Sequence, residues 1–186
     1  MPLDSLRAHK IMDGVVAKNA GQKPRRQREP VVWEGSHYEA VKNSPLTTKG
    51  NMAEDLLEGA LREIGYTNVE VKRGRRGGWD VKVENAGKTM KFESKLATQD
   101  TNRKHQFDGI RHDTDYTHLF LLAIRPNEIF YKIIAKRDRD DYTLTPMHQS
   151  TNSGFKLTLP VPTKNQNLCS FDEFEGEVKA ILGQPV

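Results

Sequence analysis

The chain has 186 residues, a net charge of +4 and one cysteine, Cys169. That length suits one domain with a real core, and a single thiol excludes a disulfide scaffold and clustered-thiolate zinc sites. No apolar run reaches transmembrane length and no signal-like segment opens the chain, so the expectation is a soluble, cytoplasmic protein with no membrane partner. The pI of about 9.1 suits a polyanionic partner without proving one.

Residues 3–17 read as a short helix with Leu3, Leu6, Ile11 and Val15 as its apolar contacts. The stretch from Lys18 to Arg28, which includes Arg25 and Arg26, is polar, basic and aperiodic; it is either a solvated linker or a nucleic-acid arm. Val31 to Val41, with Trp33 and Tyr38, has the composition of ordered chain but no periodicity that assigns an element. Residues 49–64 give the clearest helix. Ala53, Leu56, Leu57, Ala60, Leu61 and Ile64 recur at helical spacing, Thr47 or Thr48 is placed to cap, and Gly65 ends it. Glu54 lies beside Ala53, about 100° around the helix, at the flank of the apolar stripe. It is there either as an ordinary flank glutamate or as a carboxylate looking along the core edge.

Tyr66 to Lys72 reads as a strand through Val69 and Val71, followed by Arg73-Gly74-Arg75-Arg76-Gly77-Gly78. Glycines allow close backbone approach and arginines pair with phosphate, while the bland alternative is a surface turn; no Walker lysine is present. Two alternating runs then flank Asn85-Ala86-Gly87-Lys88, which predicts an antiparallel hairpin. With the turn centred between Ala86 and Gly87, Asp80 falls opposite Glu93, and Lys95 shares the face of Glu93. Val81, Val83, Met90, Phe92 and Leu96, interrupted by Ser94, form the core face. Two opposed carboxylates beside an ammonium suit a hard divalent cation such as Mg²⁺, and the lysine suits orientation of a water or stabilisation of charge. A solvated face with cross-strand ion pairs is the alternative.

Thr98 to Arg111, with Phe107 and Ile110 apolar and Gln106 at its middle, reads as a helix despite Gly109. Tyr116 to Ile124 is a central strand, Arg125-Pro126-Asn127 a turn, and Glu128 to Ala135 a second strand. Lys136 to Asp141 reads as a charged loop and Phe155 to Val161 as a late strand. Ser170 to Leu182 closes the chain as a helix with a Ser170–Glu173 capping box, docked by Phe171, Phe174, Val178 and Ile181. His105, His112 and His118 fit no zinc spacing. This order predicts an α/β fold in which a mixed central sheet is flanked by helices.

Gly50-x-x-x-Glu54 on the first core helix, Asp80 at a strand start, Glu93-Ser94-Lys95 on the next strand and Gln106 on the following helix together resemble the PD-(D/E)xK nuclease superfamily. Trp79 stands where the superfamily's name has proline. The resemblance implies a restriction-endonuclease-like α-β-β-β-α-β core over residues 48–135. Residues 1–47 then form an N-terminal helix and basic arm, and 136–186 a recognition and packing segment of the same domain. It implies metal ligation by Asp80 and Glu93, with Glu54 completing the acidic cluster. Lys95 would position the attacking water, and Gln106 would support the lysine or the scissile phosphate. Mg²⁺, replaceable by Mn²⁺, is the implied cofactor, and hydrolysis leaves a 5′-phosphate and a 3′-hydroxyl.

Within the superfamily, His105 to Arg111 followed by Tyr116-x-x-Leu119-Phe120-Leu121 resembles segments of type II restriction endonucleases. That implies sequence-specific cutting of double-stranded DNA, a homodimer on a palindrome and a place in a restriction-modification system. Lys49-Gly50 also resembles archaeal Holliday-junction resolvases, which leaves a structure-selective repair or recombination nuclease open, as is a catalytically silent DNA-binding module. Candidate phosphate contacts are Arg73, Arg75, Arg76, Arg103, Lys104 and Arg111. The leading recognition segment runs from Thr145 to Lys156, with His148, Gln149, Asn152 and Lys156 as groove-facing groups, and Arg25 and Arg26 suit a minor-groove arm.

Overall fold

Alternation on either side of Ala86-Gly87 sets the centre of the molecule. In the computed structural model, which describes residues 4–19, 33–74, 78–147, 154–159 and 168–186, strands β2 (Val81–Asn85) and β3 (Lys88–Thr98) pair antiparallel, with Val81 opposite Phe92 and Asn85 opposite Lys88. Ala86 and Gly87 both take positive φ, 48° and 79°, as the two central residues of a type I′ hairpin turn must. The Asn85 amide donates to the carbonyls of Leu182 and Gln184 at 3.1 and 2.8 Å, fastening the hairpin tip to the C-terminal segment.

The hairpin is the middle of a five-stranded sheet. It is flanked by β1 (Val69–Val71) on one side and by β5 (His118–Ile124) and β6 (Ile129–Ala135) on the other. Only the β3–β5 pair is parallel, with Glu93 beside Leu119 and Lys95 beside Leu121. The sheet is therefore mixed, as expected. Helices cover one face: α1 (Ser5–Lys18), α3 (Leu46–Glu63) and α4 (Phe174–Leu182) pack on Val81, Val83, Met90, Phe92, Phe120 and Leu122, all fully buried. A short helix, α2 (Glu39–Asn43), precedes α3 and supplies the element the sequence left unassigned.

The second face of the sheet differs from expectation. Residues His105–Ile110 form strand β4, not a helix, and pair with β8 (Phe155–Leu159), which pairs with β7 (Leu144–Pro146) in a separate three-stranded sheet. The α-β-β-β-α-β order therefore lacks its second helix. Phe107 and Ile110, three apart, imitate helical spacing. A bulge between them, with Gly109 at φ 75°, turns both inward from a strand. They pack with Leu157 and Leu159 against Leu119, Leu121 and Ala123. The second sheet thus covers β5 and the end of β3 at Ala97, a face that was expected to be open to solvent.

Smaller corrections have local causes. Pro45, not Thr47 or Thr48, occupies the N-cap of α3, and both threonines lie inside the first turn. Lys136–Asp141 is a 3₁₀ helix rather than a loop. Ser170 caps a 3₁₀ turn by accepting from the Asp172 N–H, while Glu173 makes no cap bond, so only half of the capping box forms.

An L-residue in the left-handed region costs roughly 1–2 kcal/mol, and asparagine is tolerated there better than alanine. Ala86→Asn is therefore expected to stabilise the fold by less than about 1 kcal/mol, read as a higher urea midpoint. An unchanged or lower midpoint would contradict the turn geometry.

Candidate active site

Beyond Val81, the first residue of β2, β3 runs on without a partner on that side, and this opening holds the polar residues. The ladder pairs stop at Val81 and Phe92, and Asp80 lies just before them, near enough to Glu93 to feel its charge. The Asp80 N–H donates to the Phe92 carbonyl at 2.7 Å. The Asp80 carboxylate in turn accepts from the Ser94 N–H at 2.7 Å, capping the first backbone donor of β3 that β2 no longer reaches. Lys95, two residues beyond Glu93 on the same face, donates through Nζ to Glu93 Oε1 at 2.6 Å. Glu93 is only 6% exposed. A carboxylate so deeply placed needs a compensating partner, and the ammonium supplies it.

Glu54 enters from α3, half-buried at the flank of its apolar stripe as its spacing predicts. Its Oε2 is buried without a hydrogen-bond partner among the described residues. Burial, then repulsion from Asp80, raises the Glu54 carboxyl from 4.5 to about 7, against the opposing pull of Arg73 and Lys95. The Asp80 carboxyl is also raised, first by burial and next by Glu93, while Lys95, the Ser94 N–H and Arg111 work the other way. Asp80 therefore feels the negative charge of Glu93, and Glu54 that of Asp80, with Lys95 opposing both. Among the described residues, no three histidine, cysteine or acidic groups are gathered into a ready-made metal cage. Mg²⁺ sites use one or two carboxylates and fill the remaining positions with water and substrate phosphate. An orphaned carboxylate oxygen and raised, mutually repelling acids are a donor set that such a cation fits.

Other expected site residues lie elsewhere. Gln106 is exposed on β4 and donates to Asp100 Oδ2 at 3.1 Å, so it supports neither the lysine nor the acidic cluster. Arg73 is ion-paired with Asp55 on α3, where Lys18 also approaches at 3.4 Å; this arginine anchors its loop. Lys156 on β8 faces Asp108 at 3.7 Å. Arg103 and Lys104 are exposed in the turn between β3 and β4. Arg111 is exposed just past β4 and near enough to influence Asp80. Arg25, Arg26, Arg75, Arg76, His148, Gln149 and Asn152 lie outside the described residues. The segment expected to read sequence includes β7 and β8, which pair antiparallel, and the Met147 N–H donates to the Gly154 carbonyl at 3.0 Å. Trp79 is flanked by Lys72 and Lys82, 5.2 and 5.6 Å from its ring, and packs against the second-sheet core. His105 is fully buried and held neutral, its pKa lowered to about 4 by burial and then by Arg125.

Two residues of the site carried little advance signal. Ser94 contributes through its backbone N–H, which no side chain announces; its only mark was as a polar residue on an apolar face. Asp55 was hidden beside Glu54 as one more helix-surface acid, and only the fold brings Arg73 to it.

No protein-family model matches the chain, and no curated protein matches it. Among solved structures, a bacterial homing endonuclease superposes with a TM-score of 0.49. The match is 14% identical and covers 75% of this chain and 94% of that one. A superposition that loose leaves the site to stand on its own residues.

Because the folded state holds the Glu54 proton up to about pH 7 and the unfolded chain releases it near 4.5, the folded state binds more protons across that window. Stability due to this group is present below pH 4.5 and lost as pH rises toward 7. Glu54→Gln is expected to melt above the wild type at pH 8 in metal-free buffer, with the gap closing by about pH 5. Thermal melts across that range check it; equal melting temperatures at pH 8 would contradict the placement of Glu54.

Proposed function

We propose that the protein is a metal-dependent endonuclease that hydrolyses phosphodiester bonds of double-stranded DNA, in the manner of a type II restriction enzyme. The observation that carries this reading is the convergence of Asp80, Glu93 and the Lys95 ammonium at the point where β2 and β3 part, with Glu54 alongside. Resemblance to the PD-(D/E)xK pattern at those four positions supports the assignment. The departure of Gln106 limits it to them.

Asp80 and Glu93 would hold Mg²⁺, with Glu54 joining directly or through water. When bound, the ion would lower the pKa of a water and offset charge on the phosphate. The chain's own groups do the rest. Ser94 N–H fixes one Asp80 oxygen and so sets the direction of the other. Glu93 pins the Lys95 ammonium within the site, where it can donate to an attacking water or to a phosphate oxygen. Glu54, titrating near neutrality, is a group that can take up the proton a water loses. Attack by water on phosphorus and departure of the 3′ oxygen leave a 5′-phosphate and a 3′-hydroxyl. Cutting both strands requires two such sites, most simply in a two-fold dimer.

Incubating the protein with bacteriophage genomic DNA and Mg²⁺ is expected to give discrete fragments. Asp80→Asn, Glu93→Gln and Lys95→Ala should each slow cleavage by at least about a hundredfold while duplex binding persists. Nicking confined to branched junctions would favour a structure-selective nuclease. Absence of cleavage on linear, nicked and branched DNA with Mg²⁺ or Mn²⁺ would overturn the proposal.

A mass-action effect accompanies this. Mg²⁺ should raise the melting temperature of the wild type at pH 8 and leave that of Asp80→Asn nearly unchanged. Equal shifts in both proteins would place the ion elsewhere.

A further inference from the structure

Gln106, assigned by resemblance to the lysine or the scissile phosphate, is engaged by Asp100 instead, but the residue just past its strand is near enough to influence Asp80. Immediately past β4 lies Arg111, and its backbone is held from three sides. Ile110 before it is fully buried. Its own carbonyl accepts from the Tyr116 hydroxyl at 3.0 Å. Gly154, at φ 82°, presses so close that a Cβ there would lie 2.3 Å from the Ile110 carbonyl oxygen and 3.5 Å from Arg111 Cγ. The β4 bulge at Gly109 bends the strand just before this point, a common device for re-aiming a side chain.

The loop that follows is docked on the chain leading into β2. A Cβ on Gly78 would sit 2.3 Å from the Asp115 backbone nitrogen, and Asp115 is tied to Lys91 of β3 at 2.6 Å. Gly78 is two residues from Asp80, so this contact holds the end of the Arg111–Asp115 segment against the chain that carries Asp80. In keeping with this, Arg111 is among the charges that draw the Asp80 carboxyl downward. Its guanidinium is exposed, and among the described residues no ion pair engages it. By contrast, Arg73, Lys82, Lys91 and Lys156 are all committed to carboxylates. An exposed, unpaired arginine on a held backbone near the Asp80 carboxylate suits bidentate capture of a phosphate.

We propose that Arg111 is a catalytic residue, its guanidinium contacting the scissile phosphate and offsetting the charge that builds on its oxygens during hydrolysis. The proposal rests on the endonuclease reading and adds to it a named phosphate contact from the residue that follows β4.

The test compares wild type, Arg111→Ala, Arg111→Lys and, as a control, Arg137→Ala, a surface arginine paired with Asp138. Cleavage is followed in single turnover at saturating bacteriophage genomic DNA with Mg²⁺. Binding to a random-sequence fluorescent duplex is followed over a range of salt without divalent ions. Arg111→Ala should cleave at least about a hundredfold more slowly at saturation, with partial rescue by lysine. Its salt dependence of binding should be shallower by about one unit of slope. Arg137→Ala should cleave as the wild type does. If the wild type cleaves and Arg111→Ala matches it at saturation, the proposal is overturned alone. If the wild type binds duplex but cuts none with Mg²⁺, the endonuclease reading fails and the proposal with it.

Discussion

One constraint organises the site: the two-residue turn at Ala86-Gly87. Side chains in a strand alternate between faces, so a slip of a single residue would send Glu93 and Lys95 into the helix-covered core and bring Ser94 out in their place. The turn fixes the pairing of Asn85 with Lys88, and every pair down to Val81 and Phe92 follows. Val83, Met90 and Phe92, each fully buried under α3 and α4, enforce the same register from the apolar side. Truncating a buried phenylalanine costs about 3–5 kcal/mol, so packing and turn together make the slipped pairing expensive.

That register brings the acids together, but the late start of β2, at Val81, makes the place usable. Had β2 continued beside β3, the Ser94 N–H would have been spent in the ladder. Instead it meets the Asp80 carboxylate, and Glu54 can approach from the helix layer past the open edge. The site thus draws on both faces of one sheet. The cost is that burial and neighbouring acids favour the protonated forms of Glu54 and Asp80, with Lys95 a partial offset. A strained charge balance of this sort is common at functional centres, where a ligand completes it.

Much of this was legible in the sequence because local patterning agreed with the tertiary outcome. The hairpin, its register, the α3 stripe, the buried strand of residues 118–124 and the position of Glu54 all follow from periodicity and turn chemistry. The region after β3 was not legible. Phe107 and Ile110 carry a spacing of three, which a helix explains at once and a strand explains only with a bulge. That misreading displaced Gln106 and concealed the second sheet, because nothing local in Leu144–Pro146 or Phe155–Leu159 announces that they pair with β4. Arg73 shows a different limit. Its composition suits phosphate, yet the fold sets Asp55 against it, and a partner 18 positions away in sequence cannot be read from a basic loop.

The central claim is that Asp80 and Glu93 share one divalent ion. Anomalous diffraction from crystals soaked in Mn²⁺ tests it without reference to any substrate. The account predicts a manganese peak between the two carboxylates, beside the Lys95 ammonium. Crystals saturated with Mn²⁺ that show no peak there, or manganese bound only at other carboxylates, would contradict it.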